Sequence, residues 1–385
     1  MTAAIFSREG LCMDIELTIE DIAFGGKGVG RFEGKAVFVP FTISGERVVA
    51  QIVKQKKNFA EARLISVEQN SPDRVTPPCP YFGRCGGCAY QHIRYEKQLE
   101  SKARQVEQTL QRVGKMTAVP MRAPVAAPRA YEYRNRIRVH AADGVIGFYA
   151  HESCRRDLGH ETAHRSVAAN DLIDIERCAI ALPAVNAKLR DLRAQSPRDG
   201  EYTLAAHARA EFFAQTNDAV ASELLRVVGE RVAHDHETLI DAYCGAGFFA
   251  KSVRHLFQNV IGIEENVFAV EHARKTAEPH EHYLAGDVVA HLGATLHAQN
   301  LAKTTLIMDP PALGVSTRVL DFILASPPRE IIYVSCHPAT LARDLLALRG
   351  RYRLESVTPL DMFPQTAEIE VVAHLTNSSS SKNFA

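Results

Sequence analysis

Four short apolar segments recur beyond about residue 218: Thr238-Leu239-Ile240, Val260-Ile261-Gly262-Ile263, Thr305-Leu306-Ile307-Met308 and Ile331-Ile332-Tyr333-Val334. Stretches with helical texture separate them. Strands alternating with helices in this way predict a parallel, doubly wound sheet. In such a sheet a ligand lies in the crevice outside the carboxyl ends of the strands. The residues that follow each segment are therefore the first place to look for chemistry.

The first segment runs into Asp241-Ala242-Tyr243-Cys244-Gly245-Ala246-Gly247-Phe248-Phe249, a strand, a G-x-G turn and a helix start. That geometry brings backbone N–H groups close to a ligand. The third glycine of a dinucleotide fingerprint is missing, which weighs against a pyrophosphate loop. Glu264 ends the second strand, 23 residues after Asp241, where an acid suits a pair of ribose hydroxyls. Asp287, closing Tyr283-Leu284-Ala285-Gly286, is placed to meet a base edge. Together these positions read as an S-adenosylmethionine site. The bland alternative is a set of packing glycines and surface acids.

The next strand ends in Asp309-Pro310-Pro311-Ala312-Leu313-Gly314. Paired prolines stiffen the loop, so the Asp309 carboxylate is aimed rather than mobile. The last ends in Val334-Ser335-Cys336-His337-Pro338, with a helix from Thr340. A helix N-terminus beside Cys336 is expected to lower its pKa and favour thiolate; an isolated cysteine there would otherwise read as inert core. Further on, Glu370 stands between Ile369 and Val371. It either faces out on an alternating strand or is desolvated, in which case its pKa rises and it can accept a proton.

A second feature lies upstream. Cys79, Cys85 and Cys88 crowd into ten residues of a chain with 8 cysteines, in Cys-Pro-Tyr-Phe-Gly-Arg-Cys-Gly-Gly-Cys-Ala-Tyr-Gln-His. Thiolates this close in a Gly-rich loop suit a metal centre, and a closed zinc or iron–sulfur site needs a fourth ligand from elsewhere. The N-terminal residues hold no secretory signal, and no apolar run reaches the ~20 residues that span a bilayer. A cytoplasmic location is expected, where cysteines stay reduced. Met13 is a candidate start, since the ordered pattern begins at Asp14.

Residues 14–70 read as short strands around the turn Gly25-Gly26-Lys27-Gly28-Val29-Gly30 and predict a small five-stranded barrel. A Pro-rich linker spans Pro72–Pro80, a charged helix spans 93–113, and strands return from Tyr131 to about Ile180. Net charge is +0, which excludes bulk coating of nucleic acid, yet Lys27–Arg63 holds eight Lys/Arg against three Glu. Arg129, Arg134, Arg136 and Arg138 form a second basic group. Such stripes bind phosphates or simply form a solvated face.

The chain resembles the RNA uracil-C5 methyltransferases that carry an N-terminal TRAM domain and a [4Fe-4S] cluster, best known from bacterial 23S rRNA. The resemblance runs from about residue 14 to 376. It rests on the cysteine run ending in Gln91-His92, Tyr133-Arg134-Asn135-Arg136, Phe213-Ala214-Gln215-Thr216-Asn217, Asp309-Pro310-Pro311, Ser335-Cys336-His337-Pro338 and Met362-Phe363-Pro364. It implies a Rossmann-like α/β methyltransferase domain over 206–376. Ahead of it would stand an OB-like RNA-binding barrel over 14–70 and a β-rich iron–sulfur domain over 71–205, with helix 93–113 a candidate to pack on the catalytic domain. Residues 377–385 would be a disordered tail.

By the same resemblance Cys178, rather than Cys154, is the fourth cluster ligand. Gln215, Tyr243, Glu264, Asp287 and Asp309 contact S-adenosylmethionine, Cys336 is the nucleophile and Glu370 the base. The implied partner is RNA, 23S rRNA first and the tRNA T-loop second, handled by a monomer. Ala312, Phe248 and Glu368 depart from the family's usual Arg or Lys, Asn and His. The departures at Ala312 and Phe248 leave room for a non-catalytic RNA-binding protein of the same fold. A radical methylthiotransferase fits less well, because its cysteines are spaced C-x3-C-x2-C and its TRAM domain is C-terminal. RNA cytosine-C5 methyltransferases use paired cysteines, and only Cys336 serves here.

Overall fold

The computed structural model describes residues 13–151, 171–207, 215–233 and 235–378. The chain divides into two compact units. One comprises residues up to 105, 129–207 and 363–367; the other comprises 106–128, 208–362 and 368–385.

In the first unit, β1 (Met13–Ile22), β2 (Lys27–Phe32), β3 (Lys35–Pro40), β4 (Arg47–Gln55) and β5 (Phe59–Gln69) close a barrel in the order β1-β2-β3-β5-β4. Alternate residues of β1, Ile15, Leu17 and Ile19, point inward against Val37, Val39, Val48 and Ala50. The period of two along a strand produces that interior, and closure removes the unpaired edges. Glu46 anchors the barrel to the chain that follows. It is fully buried, and its Oε2 accepts from Arg74 Nη2 at 2.7 Å and from the Ile43 amide at 2.9 Å.

Helix α1 (Tyr95–Arg112) starts two residues later than the spacing predicts, because Ile93 is buried against Ile22, Ile43 and Tyr90 ahead of it. Next come β6 (Arg136–Ala142), β7 (Val145–Tyr149), β8 (Leu172–Asp174), α2 (Pro183–Ala194) and β9 (Gly200–Ala205). The strands form an antiparallel sheet in the order β8-β7-β6-β9. Val185 and Leu189 of α2 pack in one core with Ile137, Val139 and Ile146.

The second unit alternates α3 (Asp218–Gly229), β10 (Thr238–Ala242), α4 (Phe248–Val253), β11 (Asn259–Glu264), α5 (Val267–Lys275), β12 (Glu281–Ala285) and α6 (Val288–His297). It continues with β13 (Thr304–Met308), α7 (Thr317–Ala325), β14 (Glu330–Ser335), α8 (Pro338–Leu348), β15 (Tyr352–Leu360) and β16 (Glu370–Asn377). The sheet order is β12-β11-β10-β13-β14-β16-β15. The four predicted strands are β10, β11, β13 and β14, and every residue of β10, β13 and β14 is buried. Strand order reverses between β10 and β13, the point at which an open α/β sheet forms its ligand crevice.

Asn377 is not part of a disordered tail. It ends β16 and is buried, with its amide donating to Arg329 O at 2.8 Å. Residues 379–385 of that tail, the first twelve residues, Cys154 and Phe213-Ala214 lie outside the described residues. No helix among the described residues is long and apolar enough to cross a membrane.

Candidate active site and cysteine cavity

Strands β10 to β14 run parallel, so the residues that follow them share one edge of the sheet. Strand β16 runs the opposite way, and its first residue, Glu370, arrives at that same edge. The β14–β16 register pairs Ser335 with Val371. One step further toward the edge places Cys336 beside Glu370. Pairing of Met308 with Tyr333 carries Asp309 to the same end. The three side chains are close enough that the charges of Glu370 and Asp309 both act on Cys336.

Burial, followed by the charges of Glu370 and Asp309, pushes the Cys336 thiol up to about 11. This corrects the expectation of a thiolate favoured by the helix start. The helix is present, with Pro338 in its first turn and the His337 side chain accepting from the Thr340 amide at 3.4 Å. Its dipole, however, supplies at most ~2 kcal/mol. Desolvation and two carboxylates outweigh it.

Glu370 faces inward, only 4% exposed, and its Oε1 has no hydrogen-bond partner. Burial and the neighbouring Asp309 hold its carboxyl well above the ordinary range. Burial likewise raises Asp309 to about 7. Glu368 is exposed, and its charge adds to the upward shifts of Cys336 and Glu370.

On the other side of the switch point, Tyr243, Gly245 and Gly247 all adopt positive φ (64°, 55° and 86°). For a tyrosine that conformation costs ~1 kcal/mol or more, and it makes the turn after β10 tight. Glu264 holds this turn: Oε2 accepts from the Gly245 amide at 3.0 Å and Oε1 from the Asn266 amide at 2.8 Å. Asp287 caps α6, its Oδ1 accepting from the Val289 amide at 2.7 Å. Tyr243 is raised to about 12 by burial and then by the charge of Asp287, so the two share the crevice. Gln215 is nearly buried, two residues before Asn217, which caps α3.

Sequence reasoning missed Asp241. It is fully buried beneath the glycine turn, with Oδ2 accepting from the Ala250 amide at 2.9 Å and Oδ1 unpartnered. Burial, then Asp309 and Glu264, raises it to about 8. An acid set in an apolar strand was its one visible signal.

In the first unit, Cys79, Cys85, Cys88 and Cys178 line one cavity of about 230 Å³, together with Phe82, Arg134 and Phe148. Local hydrogen bonds shape this loop. The Phe82 amide donates to Cys79 O at 3.2 Å, and the Gly86 amide docks on Tyr149 O at 2.9 Å. Asn186, which sequence reasoning also missed, grips the other end. Its Oδ1 accepts from the Cys178 amide at 2.8 Å, and its Nδ2 donates to Cys178 O at 3.0 Å.

Burial raises Cys85 to about 11 and Cys88 to about 12, and neighbouring thiols add to both. Thiolates in such a place need a compensating cation. Among the described residues no group of three or more His, Cys, Asp or Glu side chains is arranged to hold a metal ion. Four thiols lining one cavity are the donor chemistry that a zinc ion or an iron–sulfur group takes.

The seven-stranded sheet with its crevice is the S-adenosylmethionine-dependent methyltransferase fold. Residues 14–65 match the family model of the TRAM domain, and residues 292–378 match that of tRNA (uracil-5-)-methyltransferase. An uncharacterized RNA methyltransferase of Bdellovibrio bacteriovorus is 33% identical, covering 94% of each chain. Another from Halalkalibacterium halodurans is 31% identical over 94% of this chain and 96% of its own. The fold also matches the crystal structure of Pyrococcus abyssi tRNA (uracil-54, C5)-methyltransferase in complex with S-adenosyl-L-homocysteine. There the TM-score is 0.66, identity is 22%, and coverage is 94% of this chain and 100% of that one. The chain belongs to the family of these RNA methyltransferases, with a TRAM domain at residues 14–65.

Proposed function

We propose that this protein methylates C5 of a specific uridine in 23S rRNA. The observation that carries the reading is the meeting of Cys336, Glu370 and Asp309 at one edge of the sheet. Uracil C5 is a poor nucleophile. Addition of the Cys336 thiolate forms a C–S bond at C6 and turns the ring into an enolate with electron density at C5. C5 then takes the methyl group, for which S-adenosylmethionine is the donor. Glu370 removes the C5 proton, the electrons of that C–H bond restore the C5–C6 double bond, and Cys336 leaves. The raised pKa of Glu370 makes it a competent proton acceptor.

Gln215, Tyr243, Glu264, Asp287 and Asp309 would hold the donor. Each oxygen of Glu264 accepts one backbone N–H and keeps a lone pair for a ribose hydroxyl. A cationic sulfonium in this crevice would also offset the carboxylates that disfavour thiolate at Cys336. The target base must leave its stack to reach the thiol. The barrel, with its basic stripe, would bind flanking RNA.

Cys79, Cys85, Cys88 and Cys178 would hold a [4Fe-4S] cluster, tying the loop 79–88 to the turn before α2. Its task would be to shape the domain, since Cys336 accounts for the chemistry. The working form would be a monomer in the cytoplasm. A second reading, a tRNA T-loop uracil-5 methyltransferase, is favoured by the family model that matches residues 292–378.

Mass-spectrometric mapping of 5-methyluridine in rRNA and tRNA from a deletion strain tests both. Loss from 23S rRNA, restored by the intact gene and not by the Cys336→Ala form, is expected. Loss from tRNA alone would overturn the first reading. Iron and acid-labile sulfide in the purified protein support the cluster; zinc overturns it and leaves the chemistry untouched.

A further inference from the structure

Leu313 is 81% exposed, the highest value among the exposed large apolar side chains described. Single exposed leucines are ordinary; this one is held out on a braced tip. Pro310 and Pro311 lead into it from Asp309. The Gly314 amide donates to Pro311 O at 2.8 Å, closing a tight turn, and Gly314 takes a positive φ of 73°. Arg343 Nη2 donates to Leu313 O at 3.0 Å and to Val315 O at 3.2 Å.

Thr340 Oγ1 donates to Ala312 O at 3.0 Å. The Val315 amide donates to the fully buried Asp344 at 3.1 Å, and Tyr333 Oη donates to the same carboxylate at 2.7 Å. Thr340 and Arg343 both lie on α8, the helix that starts two residues after Cys336. The tip is thus fastened to the helix that begins just after Cys336, four residues from Asp309, at the rim of the crevice. An apolar side chain fixed in water at a catalytic rim has a use when something apolar arrives there.

We propose that Leu313 is a wedge that enters the RNA base stack beside the target uridine and fills the space the flipped base leaves. This rests on the uracil-methylation reading. Proteins that unstack nucleic acid commonly insert Leu, Phe, Ile or Met between bases. The cost of unstacking is a few kcal/mol, which a rigid apolar tip offsets without first having to be ordered itself. No covalent step involves Leu313; it acts on the position of the base.

Two experiments on the full-length protein test this. In the first, photoreactive benzoylphenylalanine replaces Leu313, and the protein is irradiated with total RNA from the deletion strain. Reverse-transcription stops are expected within about two nucleotides of the uridine that carries the methyl group, the reach of a side chain into adjacent base steps. Stops elsewhere, or none, overturn the wedge.

In the second, Leu313→Ser is compared with the unaltered protein on folded total RNA and on the same RNA cut to short, unstructured fragments. The variant is expected to lose about tenfold or more in methylation rate on folded RNA, the size that burying one leucine implies. On fragments the loss should be much smaller, and Leu313→Met should recover most of the folded-RNA rate. Equal losses on both substrates, or no loss, overturn the proposal. S-adenosylmethionine binding by calorimetry reports that the crevice of the variant is intact. If the unaltered protein methylates neither RNA, the uracil-methylation reading fails and the wedge falls with it; methylation by the unaltered protein with crosslinks away from the methylated uridine overturns the wedge alone.

Discussion

The reactivity of Cys336 offers the most direct probe of the site. Burial, Glu370 and Asp309 together lift its thiol from 9.0 to about 11. Two pKa units correspond to about a 100-fold smaller thiolate fraction at any pH well below 9. Alkylation by iodoacetamide, read on the Cys336 peptide by mass spectrometry, should therefore run about 100-fold slower at pH 8 than that of an unstructured cysteine peptide.

Two perturbations separate the causes. Glu370→Gln removes one carboxylate and keeps the volume, so the alkylation profile should move to lower pH, while the part due to burial remains. S-adenosylmethionine should speed alkylation relative to S-adenosylhomocysteine, because the two differ at the sulfur by one positive charge. Both ligands crowd the site, so the comparison between them isolates charge from access. A Cys336 profile with its midpoint at or below 9.0, the unperturbed value from which the shift starts, would refute the argument that desolvation and carboxylates govern this cysteine.

Other consequences follow from the same geometry. Glu370→Gln should let thiol addition and methyl transfer proceed but stall at proton removal. A covalent RNA–protein adduct that survives denaturing gel electrophoresis should accumulate, with turnover down 100-fold or more, in line with loss of a general base. Arg74→Met should strip the buried Glu46 of its charged partner and cost about 3–5 kcal/mol of stability, measured by urea unfolding; a change below about 1 kcal/mol would rule out the buried pair as an anchor. Asp241 has its folded-state pKa raised from 3.8 to about 8, so the native state keeps a proton the unfolded chain gives up. That group's contribution to stability falls as pH rises from about 4 to 8. The melting temperature of Asp241→Asn relative to the unaltered protein should therefore climb across that window, and a difference independent of pH would contradict it.

Much of the catalytic unit was legible because its strands are continuous apolar runs and its chemistry follows each run directly. Asp309, Cys336, Glu264 and Asp287 could be located by counting, since parallel strands bring their carboxyl ends together whatever the loops contain. Glu370 could not. On an alternating strand its direction depends on which face is covered, and only the placement of β16 between β14 and β15 turns it inward. The state of Cys336 was misjudged for a related reason: a helix start is visible in sequence, while the dehydration and the carboxylates that oppose it come from residues tens of positions away. Asp241 and Asn186 escaped notice because each acts through burial or through backbone groups that it does not adjoin in the chain.

The amino-acid sequence by itself determined the strand–helix alternation, the five-stranded barrel and the resemblance to a family, and it named the candidate residues for the chemistry. All of these depend on local periodicity or on residues within one short segment. The tertiary structure alone decided which groups meet. It gathered Cys178 with a loop ninety residues upstream around one cavity, set Glu370 beside Cys336 and fixed Leu313 in water at the rim. Proton affinity and contact depend on distance and dielectric, and those exist only once the chain has folded.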